Sequence, residues 1–116
     1  MKDSPVKNKS YQFAIRIVNF YKHLAQTERE YVLSRQILRS GTAIGAYVKE
    51  AGQAESRADF IHKMSMGLKE ASETEYWLEL LRDTNYLDSK AFDSLHGDCV
   101  ELLKLLTAIV KTSKQQ

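Results

Sequence analysis

Residues 34–54, SRQILRSGTAIGAYVKEAGQA, read as a helix, yet they hold Gly41, Gly45 and Gly52. A glycine inside a helix costs roughly 1 kcal/mol relative to alanine. Gly41 and Gly45 are four residues apart, with Ala46 beside them, and line one strip of the helix surface. A strip without side chains lets another backbone come close, so both glycines are read as helix-packing residues. The core stripe of the same helix is Leu33, Ile37, Ile44, Val48 and Ala51. G-x-x-x-G spacing marks membrane dimers only inside an apolar 20-mer, which this stretch, with Arg35, Arg39 and Lys49, is not. It also lacks the Lys-Ser/Thr and the preceding strand of a phosphate-binding loop.

Three further helices are expected around this one. Residues 1–9 are polar and read as a flexible N-terminal segment, with the first helix beginning near Ser10. Phe13, Ile17, Phe20 and Leu24 fall on one stripe of it, and Ala14, Val18, Tyr21 and Ala25 on the next. Residues 26–30 form a polar break, and the glycine-bearing helix starts between Thr27 and Ser34. Ser56-Arg57-Ala58-Asp59 has the spacing of a capping box and should open a third helix that runs to about Thr84. After a turn at 85–87, Asp88 or Ser89 can cap a fourth. There Phe92, Leu95, Cys99, Leu102, Leu106 and Ile109 keep an unbroken three-four pattern. Four helices with short connections predict an all-α fold, an antiparallel up-down-up-down four-helix bundle over 10–114. Several helices are apolar on more than one face, which points to subunit contacts.

Little in the chain suggests catalysis. Cys99 occupies a seam position and reads as a small hydrophobe; as the single cysteine it excludes an intrachain disulfide and suits a reducing compartment. The nearest matches to a di-iron Glu-x-x-His pattern, Asp59 to His62 and Asp93 to His96, sit near the starts of consecutive antiparallel helices. They therefore fall at opposite ends of the bundle, and no metal or cofactor is expected. No Ser–His–acid set would be assembled. No apolar run is long enough for a membrane span, and the first ten residues lack an apolar signal core, so a cytoplasmic protein is the simple reading.

Charge is the remaining functional signal. The net charge is only +2, but residues 1–49 hold nine Lys or Arg against three acids, while residues 50–116 hold eight against twelve. Arg16, Lys22, Arg35, Arg39 and Lys49 are the candidate phosphate contacts, with Lys9 beside them. Such cations bind nucleic acid through charge without reading sequence. Tyr11 and Tyr47 are candidate stacking platforms for unpaired bases. The alternative for the cations is ion pairing with Glu70, Glu73 and Glu75 of a neighbouring helix or subunit.

Two blocks carry a family resemblance. One is Tyr31-Val32-Leu33-Ser34 through Arg39-Ser40-Gly41-Thr42-Ala43-Ile44-Gly45-Ala46 and Glu50-Ala51. The other is Asp59-Phe60-Ile61 through Leu68-Lys69-Glu70-Ala71, Glu73-Thr74 and Tyr76-Trp77-Leu78. Together with Phe13-Ala14 and the leucine-rich last helix, they resemble the bacterial four-helix-bundle family of 23S rRNA intervening-sequence proteins over about residues 10–110. Tyr47 departs from the family's usual Asn. The resemblance implies a homopentameric ring with no enzymatic activity. It extends to the accessory variability determinant of diversity-generating retroelements, a nucleic-acid-binding relative. The expectation is a non-enzymatic, homo-oligomeric bundle that binds RNA or DNA non-specifically; the alternative is a protein-interaction scaffold or adaptor ring.

Overall fold

Four helices follow one another: α1 (Pro5–Gln26), α2 (Leu33–Ala51), α3 (Arg57–Asp83) and α4 (Ser89–Gln115). The computed structural model describes residues 4–116, and among the described residues there is no strand. The cross-helix contacts set the directions. Ile17 meets Gly41 and Ser10 meets Gly45. Ser40 bonds to Thr74 and Glu50 to Lys63. Ala71 pairs with Cys99, and Glu75 with His96. In each pair one number rises as the other falls, so α1–α2, α2–α3 and α3–α4 are antiparallel neighbours. α1 and α4 complete the ring of four but touch far less.

The first helix begins earlier than its composition suggests. Ser4 is its N-cap, accepting from the Lys7 amide at 3.4 Å, and Pro5 takes the first helical position. Val6 is only 2% exposed and Ser10 is buried. The start expected near Ser10, and with it a flexible segment over 1–9, is therefore corrected: residues 5–9 are helical. Residues 1–3 of that expected segment lie outside the described residues. The polar run Lys7-Asn8-Lys9 is simply the exposed side of an amphipathic turn.

The other ends have equally local causes. Glu30 starts α2 from outside: its carboxylate accepts from the Ser34 amide at 2.7 Å and the Val32 amide at 3.3 Å, and the Ser34 hydroxyl donates to its carbonyl. Ser56 caps α3 by accepting from the Asp59 amide at 3.0 Å. The Asp59 carboxylate reaches back to the Glu55 amide, one residue before the usual capping-box partner. α3 closes in a Schellman arrangement, with Asn85 left-handed at φ 71°, the Tyr86 amide on Leu81 and the Asn85 amide on Arg82. Asp88 caps α4 through the Ala91 amide at 2.8 Å.

Phe13, Ile17, Leu24, Ile37, Ile44, Val48, Met64, Leu78, Leu81, Leu102 and Leu106 form the centre of the core. On α4 the buried stripe ends on Val110, with Ile109 half-buried. A straight helix of 3.6 residues per turn drifts off a 3.5 repeat in that way. Cys99 is fully buried and donates to the Ala71 carbonyl at 3.3 Å; burial pushes its thiol up to about 12, so it packs as a small hydrophobe.

The small-residue strip of α2 faces α1. A Cβ added at Gly41 would lie 2.8 Å from two Ile17 side-chain carbons, and one at Gly45 would lie 3.3 Å from the Ser10 carbonyl oxygen. Gly97, exposed in the interior of α4, is the contrast, because a Cβ there meets nothing within 4 Å. Gly97→Ala should therefore stabilise the protein by about 0.5–1 kcal/mol, the helix-propensity difference alone. Urea denaturation reads this directly; a destabilised variant would show that α4 is not an ordinary helix at that point.

Candidate nucleic-acid interface

α1 carries four cations, Lys7, Lys9, Arg16 and Lys22, and no acid; α2 adds Arg35, Arg39 and Lys49 against the single Glu50. Their directions differ because residues around a helix are 100° apart, and that rotation divides the expected site.

Arg16 turns toward α4. Its guanidinium donates to Asp98 at 2.7 Å, to the Ser94 hydroxyl at 2.9 Å and to the Ser94 carbonyl at 3.3 Å. Lys9, on the same side, pairs with Glu101 at 2.8 Å. These polar ties bridge the loosely packed α1–α4 seam. Arg39 turns toward α3, where it forks onto Glu70, at 3.1 and 3.4 Å, and onto Glu73. The Glu70 side chain is only 12% exposed. The Trp77 indole N–H donates to Glu73 at 3.1 Å; that bond first, then Arg39, holds the Glu73 carboxyl below its ordinary range. Arg16 and Arg39 are thus engaged within the chain: Arg39 takes the Glu70 and Glu73 pairing that was the alternative to phosphate contact, and Arg16 pairs with Asp98 of α4 instead.

Lys22, Arg35 and Lys49 are exposed, and among the described residues none has an ion pair. Lys7 shares that state. It is the cation that sequence reasoning missed, since the polar run around it read as a flexible tail. On α1, Lys7, Tyr11, Ile15, Val18 and Lys22 follow at i, i+4, i+8, i+11 and i+15, one strip of the helix. On α2, Arg35, Leu38, Thr42, Ala46 and Lys49 follow at i, i+3, i+7, i+11 and i+14. The antiparallel contacts Ile17–Gly41 and Ser10–Gly45 bring Lys7 to the Lys49 end and Lys22 to the Arg35 end. Two cation pairs therefore stand about 20 Å apart along the α1–α2 face, from the 1.5 Å rise per residue.

Between the helices at the Lys7–Lys49 end lies a groove of 590 Å³, floored by Ala14, Thr42, Gly45 and Ala46 and walled by Tyr11. No acid lines it. The Gly45–Ser10 approach gives the groove its shallow floor. Tyr11 is 65% exposed there. Tyr47, the other expected stacking residue, is half-buried; its Cβ would lie 3.6 Å from a Cβ at Gly67 of α3, so it belongs to the α2–α3 packing.

Among the described residues no catalytic constellation gathers on this face. His96 bonds to Glu75 at 2.9 Å and stacks on Phe92, while Asp59 serves as a cap. Among the described residues no three His, Cys, Asp or Glu side chains come together as metal ligands. Among them, too, no helix is long and apolar enough to cross a membrane.

A family model described as 23S rRNA-intervening sequence protein matches residues 2–108. The chain is also similar to a crystal structure of a protein of unknown function from the S23 ribosomal protein family of Bacteroides thetaiotaomicron VPI-5482. The two are 57% identical with a TM-score of 0.91, over 91% of this chain and 98% of that one. No curated relative matches.

Proposed function

The chain belongs to the family of 23S rRNA-intervening sequence proteins, and from that premise we propose a non-enzymatic, cytoplasmic protein that holds RNA or DNA on its α1–α2 face without reading sequence. The observation that carries this reading is the set of four exposed cations with no ion pair among the described residues, Lys7, Lys22, Arg35 and Lys49, in two pairs along one face. Their charge would neutralise phosphates and release counterions. Arg16 and Arg39 drop out of the proposed contact set because their guanidinium groups already serve α4 and α3.

Assembly into a homopentameric ring belongs to the same proposal and rests on the family resemblance. A ring uses one patch against a different one. The exposed Tyr31 and Val32, just ahead of α2, and Tyr76, on α3, supply apolar surface for such a contact. The same residues support the second reading, a scaffold ring whose partner is another protein.

Fluorescence anisotropy with labelled RNA and DNA separates the two. If all four cations of a protomer meet phosphates, affinity for a single strand should fall about 50-fold between 50 and 200 mM salt, from a slope of roughly −0.7 per contact. Lys22→Glu with Arg35→Glu should abolish most of this binding while leaving size and helicity unchanged. A folded wild-type assembly that binds neither nucleic acid at low salt would overturn the proposal and put the scaffold first.

A further inference from the structure

We infer that the Lys7–Lys49 end of the groove takes unpaired nucleic acid, with a base stacked on the ring of Tyr11 and the flanking phosphates held by Lys7 and Lys49. This rests on the nucleic-acid reading above and narrows it to single strands.

Tyr11 is the anchor of this end of the groove. An exposed tyrosine by itself is ordinary, but this one stands on the same strip as Lys7, one helical turn away. It faces Lys49 across a concave floor of Ala14, Thr42, Gly45 and Ala46. Small residues leave room over one face of the ring. The groove's 590 Å³ falls inside the ~300–1,000 Å³ of sites that enclose small ligands. Charge complementarity chooses the occupant. Among the described residues both cations on the rim lack ion pairs and no acid lines the groove, so an anionic ligand with a flat apolar part fits best. A strand of nucleic acid has that alternation of phosphate and base, and aromatic platforms between cations accept any base through its π-face. A duplex keeps its bases stacked inside and offers the groove phosphates only. Ile15, 41% exposed on the same strip, extends the apolar surface for a neighbouring base.

The test compares three labelled ligands of matched length: a thymidine 12-mer, a 12-residue abasic strand and a 12-base-pair duplex. The thymidine strand should bind about tenfold more tightly than the abasic one, the size of one stacking contact. Tyr11→Ala should erase that preference to within about twofold, and Tyr11→Phe should keep it, because the ring and not the hydroxyl does the stacking. Circular dichroism and melting of both variants should match the parent, since the side chain is mostly exposed.

Equal binding of thymidine and abasic strands, a preference that survives Tyr11→Ala, or tighter binding of the duplex would each overturn the inference. If binding in those cases is still salt-sensitive and lost in Lys22→Glu with Arg35→Glu, the general nucleic-acid reading stands. If none of the three ligands binds at low salt, both fail, and the groove is left to a protein partner.

Discussion

Arg39→Glu should destabilise the bundle by about 3 kcal/mol or more, whereas Arg35→Glu, four residues earlier on the same helix, should cost less than about 0.5 kcal/mol. Both arginines are exposed and both lie in the basic half of the chain. What separates them is what each faces. Arg39 is the ion-pair partner of Glu70, whose side chain is nearly buried, and it shares Glu73 with the Trp77 indole. Reversing its charge leaves a buried carboxylate unpaired and adds a third negative group beside two others. Partial exposure of the guanidinium screens some of this cost, so the figure sits at the lower end for broken buried pairs. Arg35 has no such partner among the described residues. Urea denaturation of the two single variants decides the matter; equal small losses would mean that the α2–α3 network contributes little.

The same network gives the pH dependence its sign. The Glu73 carboxyl is held below its ordinary value of 4.5 in the folded chain, chiefly by the Trp77 N–H and then by Arg39. A depressed carboxyl adds stability above its unfolded value, and that contribution is lost as the pH falls from about 4.5 through the lower folded value. Arg39→Gln should therefore flatten the acid limb of the stability curve as well as lower it. For the nucleic-acid question the consequence is practical. A binding loss in Arg39→Glu would report damage to the α2–α3 contact, so Lys22 and Arg35 are the positions to reverse.

The helices could be read from the residues because their signals are local and periodic. Ser56 with Asp59, Asp88, and the Phe92 to Leu106 seam each carry their own explanation within a few residues. The start of α1 was the exception, and its signal was present: a Ser-Pro pair supplies both an N-cap and a first helical residue. The polar side chains of Lys7, Asn8 and Lys9 masked it, since composition cannot tell an exposed helical side from a tail. Glu30 as the cap of α2 was hidden for a different reason, because its carboxylate acts four residues downstream from outside the helix. For the site, sequence could say which cations exist but not which way they point. Arg35 and Arg39 share a helix and differ by about 40° of rotation, and that rotation puts one against the acids of α3 and leaves the other without an ion pair among the described residues. Which cations stay available is decided by the neighbouring acids, Asp98, Glu101, Glu70 and Glu73, all from 31 to 92 residues away in sequence.

Gly41→Val should be the second large loss, about 3 kcal/mol, with Gly41→Ala costing about 1–2 kcal/mol. At an open helical position either change would help, as expected for Gly97, because the backbone entropy cost of glycine disappears. At Gly41 the new Cβ would stand 2.8 Å from two Ile17 carbons and 3.2 Å from the Ile17 Cβ. Ile17 is fully buried and β-branched, so it cannot rotate away without displacing the rest of the core. The helices must part or the side chain must strain, and valine makes both worse. A double-mutant cycle isolates the contact. Ile17→Ala alone should cost about 2–5 kcal/mol by leaving a cavity. On that background Gly41→Ala should cost far less, because the two Ile17 carbons at 2.8 Å are gone and only the 3.2 Å approach to the retained Cβ remains. The coupling should reach about 1–3 kcal/mol. Additive losses would mean that α1 does not rest on the glycine strip of α2. The shallow floor between Tyr11 and Lys49 depends on that same close approach, so the groove would then need another origin.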